Sequence, residues 1–210
     1  MTERSRTLPS GLNVSRETFE KLCEFENLVA KWSPKINLVS KRDLDSIWQR
    51  HIVDSAQIFQ LAPGTAGIWA DIGSGGGFPA IVAAVLSAEF APDRRHILIE
   101  SDQRKATFLR TAVRELDLDA EVISQRIERV EPVGADILSA RALASLDDLL
   151  AFAERHLGAG GIGIFPKGRT ASQEIENARK NWGFDLRTVP SITDTQASIL
   201  VVGNISREQS

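Results

Sequence analysis

A single cysteine, Cys23, occurs in the chain, so no disulfide can close within it and no cysteine metal cluster can form. It lies beside Leu22 and Phe25 in an amphipathic stretch and reads as a small buried hydrophobe. Long apolar runs are missing: none approaches the ~18 residues that a membrane-crossing helix needs. The polar start carries no secretory leader pattern, so a cytoplasmic protein is expected. No internal repeat and no low-complexity tract is present. Positive charge is not in excess either. With 25 Lys and Arg against 28 Asp and Glu, the net charge of −3 argues against indiscriminate nucleic-acid binding but leaves room for a local basic face.

What is present is ordinary for a globular protein, with 42% hydrophobic and 25% charged residues in 210. That length suits one structural domain with an attachment, here an N-terminal helical extension over 1–65 and a core over 66–210. Residues 1 to about 12 are polar and expected to be loose, with Pro9 and Gly11 marking a turn. Ser15 caps a helix running to about Trp32, with Phe19, Leu22, Phe25, Leu28 and Val29 on one face and Pro34 as its stop. A second helix is expected from Asp43 or Asp45, with Leu44, Ile47, Trp48, Ile52, Ile58 and Leu61 at helical spacing, ending before Pro63-Gly64.

From Gly67 the pattern alternates strand and helix. Strands are expected at Gly67–Ile72, His96–Ile99, Ala120–Ser124, Ala135–Ser139, Gly160–Pro166, Phe184–Pro190 and Ser198–Gly203. Helices are expected at Phe78–Phe90, Gln103–Glu115, Ser145–His156 and Ser172–Trp182. Such alternation implies a mostly parallel sheet covered on both faces, with the last two strands as an antiparallel hairpin. A seven-stranded sheet of this kind is the α/β, Rossmann-like fold of class I methyltransferases.

The most informative segment is Trp69-Ala70-Asp71-Ile72-Gly73-Ser74-Gly75-Gly76-Gly77-Phe78-Pro79. A strand runs into a glycine turn and then a helix, an arrangement expected to expose backbone N–H groups and let a ligand approach the main chain. Gly73, Gly75 and Gly77 are spaced with one residue between the second and third, whereas the dinucleotide fingerprint needs two. Asp71 would repel a pyrophosphate and welcome an ammonium group. Both features favour S-adenosylmethionine over NAD. Glu100, followed by Ser101, ends the second strand, where the hydroxyls of a ribose are held. Ile127 follows the third strand, placed to pack on an adenine face with Glu128 or a backbone N–H at its edge.

Arg126, Arg129, Arg141, Lys167 and Arg169 fall at the same strand ends and give that rim a basic character. Arg141, between small residues after a buried strand, reads as a functional residue rather than as a solvated surface charge. Lys31, Lys35, Lys41 and Arg42 form a basic loop suited to phosphates, and Arg50 either joins them or pairs with Asp54. His51 reads either as a general base or as a structural histidine, and the structural account is favoured. Trp32 and Trp48 sit at packing positions rather than as base-stacking platforms.

Four stretches resemble the bacterial 16S ribosomal RNA guanine-N7 methyltransferase family (RsmG, also called GidB): Lys31-Trp32 with Ile36-Asn37-Leu38, Arg50-His51-Ile52-Val53-Asp54-Ser55, the glycine turn through Pro79, and Ser139 to Leu146. The resemblance implies a methyltransferase using S-adenosylmethionine on small-subunit ribosomal RNA or a ribosomal particle. It implies cofactor contacts at Gly73, Phe78, Ile127, Glu128 and Arg141. Nothing in the sequence pattern demands a partner subunit, a metal or a membrane, so a monomer is expected. Glu100 stands where many relatives have aspartate. An Asn/Asp-Pro-Pro-aromatic motif after the fourth strand is absent, which disfavours exocyclic amino groups as acceptors and leaves a ring nitrogen. Two other functions fit the same residues: a methyltransferase on a small molecule or protein, and a noncatalytic nucleotide-binding regulator.

Overall fold

The computed structural model describes residues 6–64 and 66–208. The expected loose start therefore lies partly outside the described residues, as does residue 65 at the expected boundary; Leu12 closes a turn onto Pro9 O at 3.1 Å. The core is a sheet of seven strands in the order β3-β2-β1-β4-β5-β7-β6. Its strands are β1 (Ala66–Ile72), β2 (Asp93–Ile99), β3 (Ala120–Ile123), β4 (Ala135–Ser139), β5 (Leu157–Lys167), β6 (Trp182–Pro190) and β7 (Ser198–Arg207). All neighbouring pairs are parallel except those made by β7, which lies antiparallel between β5 and β6.

The helices are α1 (Arg16–Ile36), α2 (Val53–Gln60), α3 (Ala80–Phe90), α4 (Gln103–Glu115), α5 (Leu146–His156) and α6 (Ala171–Ala178). Trp69, Ala70 and Ile72 of the central β1 have no exposed surface, which is why that strand reads as a continuous apolar run rather than an alternating one. α3 is apolar all round and buried from Ala80 to Ser87, because the sheet covers one side and α1 and α2 cover the other. Leu22, Phe25 and Val29 of α1 are fully buried in the same cluster as Ile81 and Phe108 of the core. Each such side chain contributes about 1.5–3 kcal/mol of burial. Phe25 lies 5.1 Å from Phe78 and 6.4 Å from Phe108, ring centre to ring centre.

Ser15 caps α1 as expected, its hydroxyl accepting from Thr18 N at 3.1 Å. Pro34 does not stop the helix. It sits in the last turn, where few hydrogen bonds remain to lose, and the helix closes three residues later on Asn37 in the left-handed conformation. The expected second helix is instead three pieces: a 3-10 turn at Leu44–Ser46, a π turn at Trp48–Ile52, and α2. Trp48 packs 5.2 Å from Phe19 and Trp32 lies 5.7 Å from Phe108, so both serve as packing. Trp182 opens β6 rather than ending α6, because its ring is buried under the Arg207 guanidinium of the neighbouring strand.

Gly77 shows how tightly extension and core are fitted. Its φ is +82°, and a Cβ there would lie 2.7 Å from Ile81 Cγ1 and 2.9 Å from Phe25 Cζ. Gly77→Ala therefore combines left-handed strain with overpacking and should destabilise the protein by about 2–4 kcal/mol, read from urea unfolding midpoints. A loss below about 1 kcal/mol would show that α1 yields at this contact.

Candidate active site

The glycine turn is largely self-satisfied. Ile99 O accepts from Gly73 N at 2.9 Å and from Ser74 N at 3.2 Å, and Ser74 O accepts from Gly77 N at 2.7 Å. Glu100 Oε2 accepts from Gly75 N at 2.8 Å, while Oε1 accepts from Asp102 N at 2.7 Å. Four donors of the expected row are thus engaged: those of Gly73, Ser74 and Gly75 at the end of β2, and that of Gly77 within the turn. Only Gly73 of the three spaced glycines lines the cleft above the turn. Gly77 faces the interior instead, since Phe25 and Ile81 occupy the space beside it.

That cleft, of about 370 Å³, lies over the carboxyl ends of β1, β2 and β3, where open parallel sheets bind ligands. Gly73, Ser101, Arg126, Ile127, Glu128 and Leu143 are among its walls, so the structure brings the expected residues of three strand ends together. Of the other expected cofactor residues, Asp71, Gly75, Gly77, Phe78, Glu100 and Arg141 are not among its walls; for Phe78 the reason is plain. Its ring is 4% exposed and packs against Phe25 and His51, so it cannot offer a face to an adenine. Leu143 was not expected. Its Cδ1 lies 2.6 Å from where a Cβ on Gly73 would be, and Gly73 itself has φ +66°, a conformation that favours glycine.

Asp71, near the end of β1, is 2% exposed and lines neither cavity, and Ser139 Oγ donates to its Oδ1 at 2.5 Å. Burial raises its carboxyl from 3.8 to about 6, against the Ser139 and Ser74 hydrogen bonds and the attraction of Arg141. A buried carboxylate in this position is a site that a cation would stabilise.

A second cavity, also about 370 Å³, adjoins the first and shares Ala144 with it. Arg141 lines it, with its guanidinium 5.2 Å over the Phe78 ring and Nη1 2.8 Å from His51 Nδ1. Arginine has no acceptor, so Nδ1 must be the lone-pair nitrogen and the neutral ring carries its proton on Nε2. Burial, and next the charge of Arg141, push the His51 pKa down to about 4. Nε2 lies 3.7 Å from Asp43 Oδ2. This is the structural account of His51: with Nδ1 held by Arg141, the ring positions the guanidinium. In the π turn Val53 N bonds back five residues to Trp48 O, and His51 and Asp54, three residues apart, both line the cavity.

The remaining expected cations divide. Lys31, Lys35, Lys41, Arg42 and Arg169 are exposed. Arg50 is exposed too and pairs with Asp43 at 3.0 Å, not with Asp54. Lys167 is not a free cation: its ammonium donates to Ala144 O and to Glu174 Oε2, both at 2.7 Å, and its side chain is 9% exposed. It braces the loop between β4 and α5. Among the described residues no group of three or more His, Cys, Asp or Glu could hold a metal, and no helix is long and apolar enough to cross a membrane.

A sheet of this order, with a glycine turn after β1, an acidic residue ending β2 and a cleft over both, defines a class I S-adenosylmethionine-dependent methyltransferase. The crystal structure of an S-adenosylmethionine-dependent methyltransferase from Aquifex aeolicus superposes with a TM-score of 0.58 at 14% identity, covering 78% of this chain and 94% of that one. The ribosomal protein L11 methylase of Lactobacillus delbrueckii subsp. bulgaricus gives 0.57 at 21% identity, covering 76% and 79%. These likenesses are of fold. The chain belongs to the GidB family, rRNA small subunit methyltransferase G, whose model matches residues 18–200. It is 53% identical over 196 residues to the ribosomal RNA small subunit methyltransferase G of Ruegeria pomeroyi, covering 93% of this chain and 96% of that one. The corresponding protein of Rhodospirillum centenum is 45% identical over 203 residues, covering 97% and 92%.

Two outcomes follow from the buried groups. The folded Asp71 takes up its proton near pH 6 and the unfolded one near 3.8, so the stability it contributes falls as pH rises through that window. Asp71→Asn keeps an acceptor for Ser139 and removes that slope. It should unfold on the order of 2 kcal/mol later than wild type at pH 7, while calorimetry finds S-adenosylhomocysteine bound at least ~100-fold more weakly. Separately, the His51 ring should titrate in 15N NMR with a midpoint near 4 rather than 6.5, with Nε2 protonated above it. A midpoint above about 6 would mean that the bond to Arg141 is not held in solution.

Proposed function

We propose that this protein transfers a methyl group from S-adenosylmethionine to N7 of a guanine in small-subunit ribosomal RNA. The observation that carries this reading is the pair of adjoining cavities, one nucleoside-sized cleft and one pocket suited to a base, which share Ala144 and the second of which Arg141 lines. Its relatives bear the name of small-subunit rRNA methyltransferases. When bound, S-adenosylmethionine supplies an electrophilic methyl on a sulfonium.

In this reading Asp71 meets the cofactor's ammonium, Glu100 and Ser101 its ribose, and Ile127 with Glu128 its adenine. Gly73 permits the close approach of the cofactor to the main chain. Guanine N7 is a lone-pair nucleophile, so no side chain must remove a proton before attack. The residues' work is orientation and exclusion of water. Arg141 does the first: fixed by His51 Nδ1 and seated on Phe78, it donates to the base and sets its orientation. Lys31, Lys35, Lys41, Arg42, Arg50 and Arg169 hold phosphates, which position the RNA without reading its sequence. The enzyme works in the cytoplasm as a monomer, and the N-terminal helices form one unit with the core because they wall the pocket.

The test is methyl transfer from labelled S-adenosylmethionine to small ribosomal subunits from cells lacking this protein, to their deproteinised RNA, and to subunits from normal cells. Label should enter subunits from the cells lacking it and not those from normal cells, and map to guanine N7; its entry into the deproteinised RNA decides whether ribosomal proteins are needed. Arg141→Lys should lower kcat/KM by at least about 10-fold, because the planar fork is lost while the charge stays. Label in a protein or small-molecule fraction, with none in RNA, would replace this reading.

A further inference from the structure

The wall of the second cavity holds several carboxylates, and their engagements differ. Glu174 is saturated: Oε2 accepts from Lys167 Nζ at 2.7 Å and Leu146 N at 2.9 Å, and Oε1 from Thr170 Oγ1 at 2.9 Å. Asp194 sits in an exposed turn and accepts from Gln196 N at 2.9 Å. Asp54, in the first turn of α2, is different. Its Oδ1 accepts from Thr193 Oγ1 at 3.0 Å, whereas its Oδ2 lies 3.7 Å from Arg141 Nη1, beyond hydrogen-bond reach. The side chain is 15% exposed, and that exposure is into the cavity it lines.

Asp54 is also rigidly held. Gln57, one turn further along α2, donates to Pro190 O at 2.8 Å and accepts from Ile192 N at 3.0 Å. That amide fastens the loop between β6 and β7 to α2, so the Thr193 bond to Asp54 is fixed from both sides. Arg141 is fixed by His51 and Phe78. One N–H of its guanidinium is committed and others remain. The cavity therefore presents a hydrogen-bond donor and an acceptor side by side, 3.7 Å apart, between apolar walls that include Leu149, Pro166 and Ile199.

Guanine is the complement of that pair. Along one edge it carries an acceptor, O6, followed by donors on N1 and N2. Adenine reverses the first two, with a donor on N6 and an acceptor at N1. Enzymes that modify a base out of its stack read it by that edge and by packing on its faces. O6 is also the neighbour of N7, so a donor holding O6 sets N7 toward the cleft that shares Ala144 with this cavity.

We propose that Asp54 is a specificity-determining residue, its Oδ2 accepting from N1–H and N2–H of the target guanine while Arg141 donates to O6. This rests on the reading of the protein as a guanine-N7 methyltransferase. The carboxylate then selects guanine over adenine, which would set its N1 lone pair against the carboxylate and its N6–H against the guanidinium. Recognition by buried hydrogen-bonding groups discriminates strongly, since the wrong base leaves them unpaired.

The experiment is single-turnover methylation of small-subunit RNA carrying either guanosine or inosine at the target position, by wild type and by Asp54→Asn. Inosine keeps O6, N1–H and N7 but lacks the N2 amine. Wild type should lose about 10-fold on inosine. Asp54→Asn retains an acceptor for Thr193 but turns an N–H₂ toward the base, and should lose about 100-fold or more on guanosine. The two losses should not multiply: the variant's guanosine and inosine rates should agree within about 3-fold, with affinity for S-adenosylhomocysteine unchanged within about 2-fold. Should Asp54→Asn fail to fold, Asp54→Ala is judged by the same ratio. A wild-type rate in the variant, or losses that multiply, overturns the proposal. No label from wild type on guanosine overturns the underlying reading and this proposal with it.

Discussion

A short hydrogen-bond chain holds the centre of this molecule: Trp69 Nε1 donates to Ser139 Oγ at 2.8 Å, and Ser139 donates to Asp71. It joins the ends of β1 and β4, the neighbouring strands from which the sheet grows outward in opposite directions. At such a junction the loops leaving two strands diverge and a crevice opens between them. Here one loop is the glycine turn and the other carries Arg141. Both cavities depend on the spacing of those loops, and the Trp69–Ser139–Asp71 chain sets it in a region from which water is excluded. An indole and a serine in these two places are part of the site although neither is expected to touch a ligand.

The same chain explains why charge can persist so deep in the protein. Asp71 is desolvated, yet Ser139 and Ser74 help to support it and Arg141 attracts it. Arg141 is in turn surrounded by an imidazole, an aromatic face and the Asp54 carboxylate. His51 is able to hold a guanidinium only because it is neutral, and its burial keeps it so. Each group's state thus depends on its neighbour's, the arrangement expected where electrostatics rather than proton transfer carries the chemistry.

Much of this was legible beforehand. Strand and helix alternation announced the sheet, because buried parallel strands read as apolar runs and amphipathic helices keep their period. Asp71, Glu100, Ile127, Glu128 and Arg141 could be placed at strand ends from their position in that alternation. What escaped was set by tertiary contact. Phe78 follows the glycine turn, but its ring goes to the core because Phe25 and His51 receive it. Lys167 looks like a surface cation until Glu174, seven residues on, turns out to lie within reach. Pro34 looks like a helix stop, yet a proline in a final turn has little left to break. The glycine turn's donors seemed available, and the carboxylate of Glu100 and the Ile99 carbonyl take them. The π turn left no mark in the hydrophobic period, since Ile47, Trp48 and Ile52 satisfy either winding over so short a span.

That turn has a further consequence, best put as a phase shift. Each residue of an α-helix advances the side chain by about 100° around the axis, so a turn widened by one residue offsets everything after it by that amount. The stretch ahead of Trp48 and the stretch beyond Ile52 therefore present their stripes on different meridians, though one continuous path joins them. Ile47 and Trp48 go to the hydrophobic cluster, while Arg50, His51 and Asp54 line the cavity. One segment thereby serves two surfaces that a regular winding would have superimposed, and the length of the chain at this point is as constrained as its composition.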